Sequence, residues 1–296
     1  MLSVIIPAHN EQAVLGRCLR AIVTDATPGE LEIIVACNGC TDCTAEIARS
    51  FGPPVRVIEI GQASKVAALN AADELATGFP RFYVDADVVV DLASIRAMAA
   101  VLERGEALLV APKLRMDLSK TTWPVRAYYR VWMSLPYNQV MVGTGAYGLS
   151  RAGRARFGRF PDLIADDGFV RFSFSPAERI RVDEAVASVD PPRSLGGLIR
   201  IKTRSRLGGY QLRRYLPHRP ATDSKSARSI LRALALAPRL WPSVWVYLLV
   251  NLITRWAAAR QLVRGLYIWA RDDSRPNPAR QSSLRYASHI ASAKAD

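Results

Sequence analysis

From Leu2 to Pro112 the chain alternates short apolar runs with stretches of helical spacing. The runs are Leu2 to Pro7, Leu31 to Ala36, Val55 to Ile60, Arg81 to Val84 and Ala107 to Pro112, with β-branched residues prominent in most of them. Between them, Glu11 to Thr24 sets Val14, Leu15, Cys18, Leu19 and Ile22 on one helical face. Asp42 is placed to cap a helix through Ala45, Ile47 and Ala48, which Pro53-Pro54 ends. Ser64 to Ala76 and Ser94 to Glu103 give two more helices. This order predicts an α/β fold, a parallel sheet covered on both faces with right-handed connections. Ligands of such sheets lie outside the carboxyl ends of the strands. Each unusual motif falls at such an end: Pro7-Ala8-His9-Asn10-Glu11, Cys37-Asn38-Gly39 and Asp85-Ala86-Asp87. One shared site is the expectation.

Asp85 and Asp87 interrupt the apolar run Phe82 to Val90. Aspartate is a poor strand residue, so fold stability does not ask for the pair. If the extended geometry continues, both carboxylates face one way. A hard divalent cation is often held by one or two carboxylates plus substrate phosphates. The same residues also suit a strand-end turn in which aspartate caps the next element.

The 296 residues allow one large domain, or one domain with an appendage. Lys and Arg number 40 against 26 Asp and Glu, a net charge of +14 that suits phosphate-bearing ligands, an anionic membrane face or nucleic acid. No basic run is interleaved with base-stacking aromatics and no nucleic-acid-binding motif is found, so nucleic acid is not expected as a partner. Met1 leads directly into a strand with no secretory leader pattern, so a cytoplasmic chain is expected. Cys37-x-x-Cys40-x-x-Cys43 has the spacing of a zinc or iron–sulfur site. Cys18 is distant and no Cys-Pro follows, so reduced thiols in a tight loop are the expectation.

The second half is less regular. Lys113 to Arg130 is polar, aromatic and poorly periodic, and Val142 to Gly148 is a glycine-rich turn without the Gly-Lys-Ser/Thr of a P-loop. Asp166-Asp167-Gly168 follows, and Arg179 to Val189 alternates loosely as a strand does. Arg193 to Arg214 is basic, with Gly196-Gly197 and Gly208-Gly209 as flexible points, and 218–228 has linker composition. Beyond it, Trp241, Trp245, Trp256 and Trp269 with Arg239, Arg255, Arg260 and Arg264 give the pattern of an interfacial helix. A helical hairpin packed on the rest of the chain or on a second subunit is the alternative; the apolar run is short for a span.

Together these segments resemble the family-2 inverting glycosyltransferases of GT-A fold, over roughly residues 1–215. Val4 to Glu11 is similar to the family's opening strand and nucleotide-contacting turn, and Asn38 to Thr44 to its second loop. Lys65, Ala68, Leu69 and Asn70 fit the helix after the third strand, and Asp85-Ala86-Asp87 the D-x-D signature. Gly143 to Tyr147, followed by Ser150-Arg151, fits the acceptor-side turn, and Asp166-Asp167 the Glu-Asp pair.

The resemblance implies a GT-A, nucleotide-diphospho-sugar transferase-like fold: a mostly parallel sheet flanked by helices, with a C-terminal helical appendage. Residues 1–217 would be catalytic, 1–112 on the nucleotide side and 113–217 on the acceptor side; 218–296 would be linker and amphipathic helix. Pro7, Ala8, His9, Glu11 and Asn38 would line the nucleoside pocket, with Lys65, Asp85 and Ala86 near the ribose or diphosphate. Asp87 would ligate Mg²⁺ or Mn²⁺, Asp167 would be the general base beside Asp166, and Gly143 and Gly145 would face the acceptor. The implied reaction moves one sugar, with inversion, from a UDP- or GDP-sugar to a hydroxyl of a glycan or glycolipid. The implied setting is cell-surface polysaccharide synthesis, peripheral on the inner membrane face. His9 stands where the family often has Tyr, Asn38 for the usual Asp and Asp166 for Glu, and no Gln-x-x-Arg-Trp of processive members is present. A sugar nucleotidyltransferase and an inactive membrane-associated scaffold of the same fold are the alternatives.

Overall fold

The computed structural model describes residues 1–135, 144–217 and 237–263. Four strands, β1 (Leu2–Ala8), β2 (Leu31–Asn38), β3 (Val55–Ile60) and β4 (Arg81–Val84), run parallel in the order β3-β2-β1-β4. All seven residues of β1 are buried, as a strand covered on both faces requires. Their crossovers carry α1 (Leu15–Val23), α2 (Thr44–Arg49) and α3 (Lys65–Leu75). Helix α1 buries Leu15, Cys18, Leu19 and Ile22, the face its spacing predicts. It begins later than Glu11, because Asn10 has a φ of 54° and the Glu11 and Gln12 amides donate to the side chains of Thr44 (2.7 Å) and Asp42 (3.3 Å).

The sheet then changes direction. β5 (Val88–Val90), β6 (Leu109–Met116), β7 (Ala146–Leu149) and β8 (Arg179–Val189) extend it in the order β4-β7-β6-β8-β5. β7 is antiparallel to both β4 and β6, while β6 and β8 are parallel. The sheet is therefore parallel over β1 to β4, as the alternation predicts, and becomes mixed where β7 and β8 join it. The strand also ends sooner than the apolar run Phe82 to Val90 suggests. A turn closed by the Val88 amide on the Asp85 carbonyl (3.0 Å) separates β4 from β5. Asp85 and Asp87 thus lie in a turn and not on one extended face.

Four stretches without clear periodicity are regular elements. After α4 (Leu92–Glu103), the aromatic stretch contains α5 (Trp123–Ser134), and the end of the glycine turn is β7. Past the short α6 (Arg151–Arg154), Asp166 and Asp167 open α7 (Asp166–Phe172). The basic run is one long helix, α8 (Leu195–Tyr215). Its Gly208 is not a hinge: a Cβ there would lie 3.1 Å from the Ala165 Cβ and backbone nitrogen. The glycine permits α8 to approach the segment before α7.

The C-terminal appendage is α9 (Trp241–Val263), whose Val250, Thr254 and Ala258 are buried at helical spacing. It packs on α5 and α8: Tyr247 stacks on Tyr128 at 5.2 Å and Arg206 Nε donates to Thr254 Oγ1 at 2.8 Å. Lys202 Nζ lies 4.5 to 5.4 Å from the rings of Tyr128, Tyr129 and Trp132. Two side chains of the basic run, Lys202 and Arg206, thus join three helices. No described helix is long and apolar enough to cross a membrane. Residues 218–228, Arg264 and Trp269 lie outside the described residues.

The halves of the sheet are tied by a buried carboxylate. Asp73 of α3 accepts from Arg81 Nη1 (2.6 Å) at the start of β4, from Arg154 Nη2 (2.6 Å) and Nε (2.8 Å) of α6, and from Tyr83 Oη (2.5 Å). Burial pushes this carboxyl up, but hydrogen bonds from Arg154, Tyr83 and Arg81 outweigh it and hold the pKa below its ordinary value. A depressed pKa contributes stability above the unfolded value of about 3.9, lost as pH falls through the folded value. Asp73→Asn leaves two guanidinium groups short of their counter-charge. The expected cost is about 3–5 kcal/mol in denaturant unfolding, with a shallower loss of stability below about pH 4 than in the parent chain. A cost under about 1 kcal/mol contradicts this role.

Candidate active site

The site is built at the carboxyl tips of β1, β2 and β4. The loop after β1 is stitched to the loop after β2. Asn10 Oδ1 accepts from the Thr41 amide (2.7 Å), Gln12 Oε1 from the Cys43 amide (3.1 Å) and the Ala8 carbonyl from Asn38 Nδ2 (2.9 Å). Asn38 is buried, and its amide nitrogen is directed at backbone rather than at an open pocket. The His9 ring is half-buried, with Nδ1 2.5 Å from the Asn38 carbonyl oxygen. Pro7 and Ala8 are buried, and Glu11 is half-buried at the entry to α1. Cys40 Sγ lies 3.4 Å from the Ala8 carbonyl oxygen, so this thiol belongs to the same loop packing. Burial first, and then Cys40, pushes the Cys37 thiol up to about 12.

The charged centre lies beside these loops. Lys65, the first residue of α3, sets Nζ 2.7 Å from Asp85 Oδ1 and 3.0 Å from Asp166 Oδ1. Three elements far apart in sequence thus meet on one ammonium. Burial works against that charge, but Asp166 and Asp85 outweigh it and push the Lys65 pKa up. Burial pushes the carboxyls of Asp85 and Asp166 up; Lys65 opposes it, and neighbouring carboxylates add to it. The aspartate pair expected at the acceptor side is divided. Asp166 is buried on Lys65, whereas Asp167 is half-exposed, its Oδ1 accepting from the Gly168 amide at 2.7 Å.

Gly145 holds the Asp85 turn against β7. Its carbonyl accepts from the Asp85 amide at 2.7 Å. Its φ is +71°, and a Cβ there would lie 2.6 Å from Val88 Cγ2 and 3.1 Å from Asp85 Oδ2. Only glycine meets both demands. Gly143 lies outside the described residues.

Among the described residues no three His, Cys, Asp or Glu side chains converge as a ready-made metal cage. The donor set fits a cation that is completed by its ligand. Asp87 is half-buried two residues from Asp85, and Ala86 between them is buried. Both carboxylates act electrostatically on Cys18 of α1, whose thiol is pushed up by burial first and then by Asp87 and Asp85. Oxygen donors with an excess of negative charge suit Mg²⁺ or Mn²⁺ held by one or two carboxylates plus phosphate. They do not suit zinc, which favours nitrogen and sulfur.

Two adjoining cavities open on this centre. The smaller, about 240 Å³, is lined by Pro7, Lys65, Asp85, Asp166 and Asp167, among others. The larger, about 480 Å³, has Leu109, Ala111, Val170 and Phe172 in its walls with Arg171 as its cation. Gly145, Tyr147 and Asp167 line both. Sequence patterns singled out neither Arg171 nor Tyr147 as a site residue. Nor do they show that Lys65 is placed to pair with Asp166, 101 positions away.

Comparison with known proteins bears on the fold and the family. The chain is 30% identical over 142 residues to the uncharacterized glycosyltransferase YibD of Escherichia coli, a match covering 47% of this chain and 39% of that protein. Among solved structures it is similar to the mannosyltransferase PcManGT from Pyrobaculum calidifontis, in complex with GDP-Man and Mn²⁺. The TM-score is 0.59 at 20% identity, over 98% of this chain and 80% of that one. It is also similar to glucosyl-3-phosphoglycerate synthase from Mycobacterium tuberculosis in complex with Mn²⁺, UDP and phosphoglyceric acid. There the TM-score is 0.51 at 20% identity, over 72% of this chain and 77% of that one. At that identity both likenesses speak for the shared GT-A fold. The model of glycosyl transferase family 2 matches residues 3–160, a little over half of the sequence, and the chain belongs to that family.

Proposed function

We propose that this chain transfers a single sugar from a nucleoside-diphosphate sugar to a hydroxyl acceptor, with inversion and with a divalent cation. The observation that carries the reading is the gathering of Asp85 and Asp166 on Lys65, with Asp167 on the wall between a charged cleft and a larger, mostly apolar cavity. The loops after β1 and β2, with His9 at their surface, take the nucleoside. Lys65 lies at the cleft where the diphosphate enters, and its ammonium also restrains Asp85 and Asp166. A diphosphate brought among these carboxylates meets repulsion that one lysine does not cancel. Asp87 is the ligand for Mg²⁺ or Mn²⁺, which when bound neutralises the charge of the departing diphosphate. Asp167, the more exposed of its pair, takes the proton from the acceptor hydroxyl as it attacks from the opposite face. Asp166 stays with Lys65 and holds the start of α7 in place. In this reading residues 1–217 are the catalytic unit, with the acceptor half from residue 113.

The outer face of α9 extends the reading. Trp245 is 77% exposed, Leu252 67% and Trp256 63%, and Trp241, Leu248 and Leu249 are exposed beside them. These positions recur at helical spacing, opposite the face that packs on α5 and α8. Large aromatic side chains flanked by Arg239, Arg255 and Arg260 suit the headgroup level of an anionic bilayer. We read α9 as a peripheral membrane contact that brings the site to a glycan or glycolipid acceptor.

Three outcomes test this function. UDP or GDP should raise the melting temperature more with Mn²⁺ than without it; indifference to both nucleotides speaks for an inactive scaffold. Asp87→Ala should melt like the parent chain yet lose sugar-nucleotide turnover by about a hundredfold or more, and unchanged turnover removes the metal role. Vesicles rich in phosphatidylglycerol should co-sediment the protein, less so in high salt, and Trp245→Glu with Trp256→Glu should abolish it. Concentration-dependent dimerisation without vesicle binding would assign the face to a second copy.

A further inference from the structure

β7 carries Tyr147 directly across from Tyr83 of β4. The two rings stack with centroids 4.9 Å apart and planes 19° from parallel. Their hydroxyls differ. Tyr83 Oη donates to Asp73, whereas Tyr147 Oη is buried with no hydrogen-bond partner among the described residues. A buried hydroxyl without a partner costs stability, and such groups in a folded protein call for an explanation. The ring packing does not explain it, because phenylalanine would stack as well.

The location supplies the explanation. Tyr147 lines both the charged cleft and the larger cavity, as Asp167 does. Burial above all, and then the charge of Asp166, raises its pKa well above the ordinary phenol value, with Asp167 and Asp85 adding to the effect. That environment favours the neutral phenol, which has a proton to donate. A residue that borders both cavities and carries a hydroxyl without a partner is suited to an oxygen that arrives with the substrate.

We propose that Tyr147 is a positioning residue of the transfer: its hydroxyl donates to the reacting hydroxyl of the acceptor and orients that oxygen toward Asp167. The inference rests on the transferase reading above. It gives the two residues separate tasks, since Asp167 accepts the proton while Tyr147 fixes the oxygen that loses it. No covalent step is added.

The test is Tyr147→Phe in the full chain. UDP-glucose and GDP-mannose are the donors, with Mn²⁺, and water occupies the acceptor position. With the donor that the parent chain hydrolyses, kcat should fall by about tenfold or more. The donor KM should stay within about twofold and the melting temperature should be equal or higher, since an unpaired buried hydroxyl is removed. A kcat within about twofold of the parent overturns the proposal. So does a lowered melting temperature with a proportionate rise in KM, which would make the hydroxyl structural. If the parent chain hydrolyses neither donor, the transferase reading fails first and takes this one with it.

Discussion

One ammonium holds this site together. Lys65 reaches Asp85 at the end of β4 and Asp166 at the start of α7, so the helix after β3, the Asp85–Asp87 turn and the second half of the chain converge on a single charge. Burying carboxylates is expensive unless they are paired. Here two share one lysine, with Asp87 and Asp167 close by in sequence, and burial with mutual repulsion raises the pKa of the paired ones. The arrangement is short of positive charge by construction. That shortage is the physical reason to expect both a divalent cation and a ligand that brings it.

The surrounding fold keeps this costly cluster in register. β7 runs antiparallel beside β4, and Gly145 at its entry takes the Asp85 amide at a spacing that no larger residue allows. On the far side of α3, Asp73 binds Arg81 and Arg154, fixing the helix whose first residue is Lys65. The two ends of α3 thus do different work. Its N-terminal lysine enters the site, and its buried aspartate ties the site to the rest of the sheet.

Much of residues 1–112 was legible in the sequence, because burial on both faces imposes continuous apolar runs that stop at turn residues. β3 and β4 appear at the expected bounds, and the motifs at Pro7 to Glu11, Asn38 and Asp85 do share one end of the sheet. The second half was harder to read. α5 presents Tyr128, Tyr129 and Trp132 to Lys202, a mixed aromatic and cationic contact that leaves no clean apolar stripe. α8 carries glycines that read as flexible points, yet Gly208 serves close helix packing. Asn38 looks free to read a base but is directed at backbone carbonyls. The partner of Lys65 could not be read at all, since nothing local ties it to a residue 101 positions away.

The central claim is that the tips of β1, β2 and β4 form one diphosphate and cation site. Its most direct measurement is a crystal structure with Mn²⁺ and UDP or GDP, using anomalous scattering to locate the metal. One manganese is expected within about 2–2.5 Å of an Asp87 oxygen and of the diphosphate, with the base beside His9. A manganese bound away from the Asp85–Asp87 turn, or a nucleotide seated elsewhere on the sheet, would contradict it.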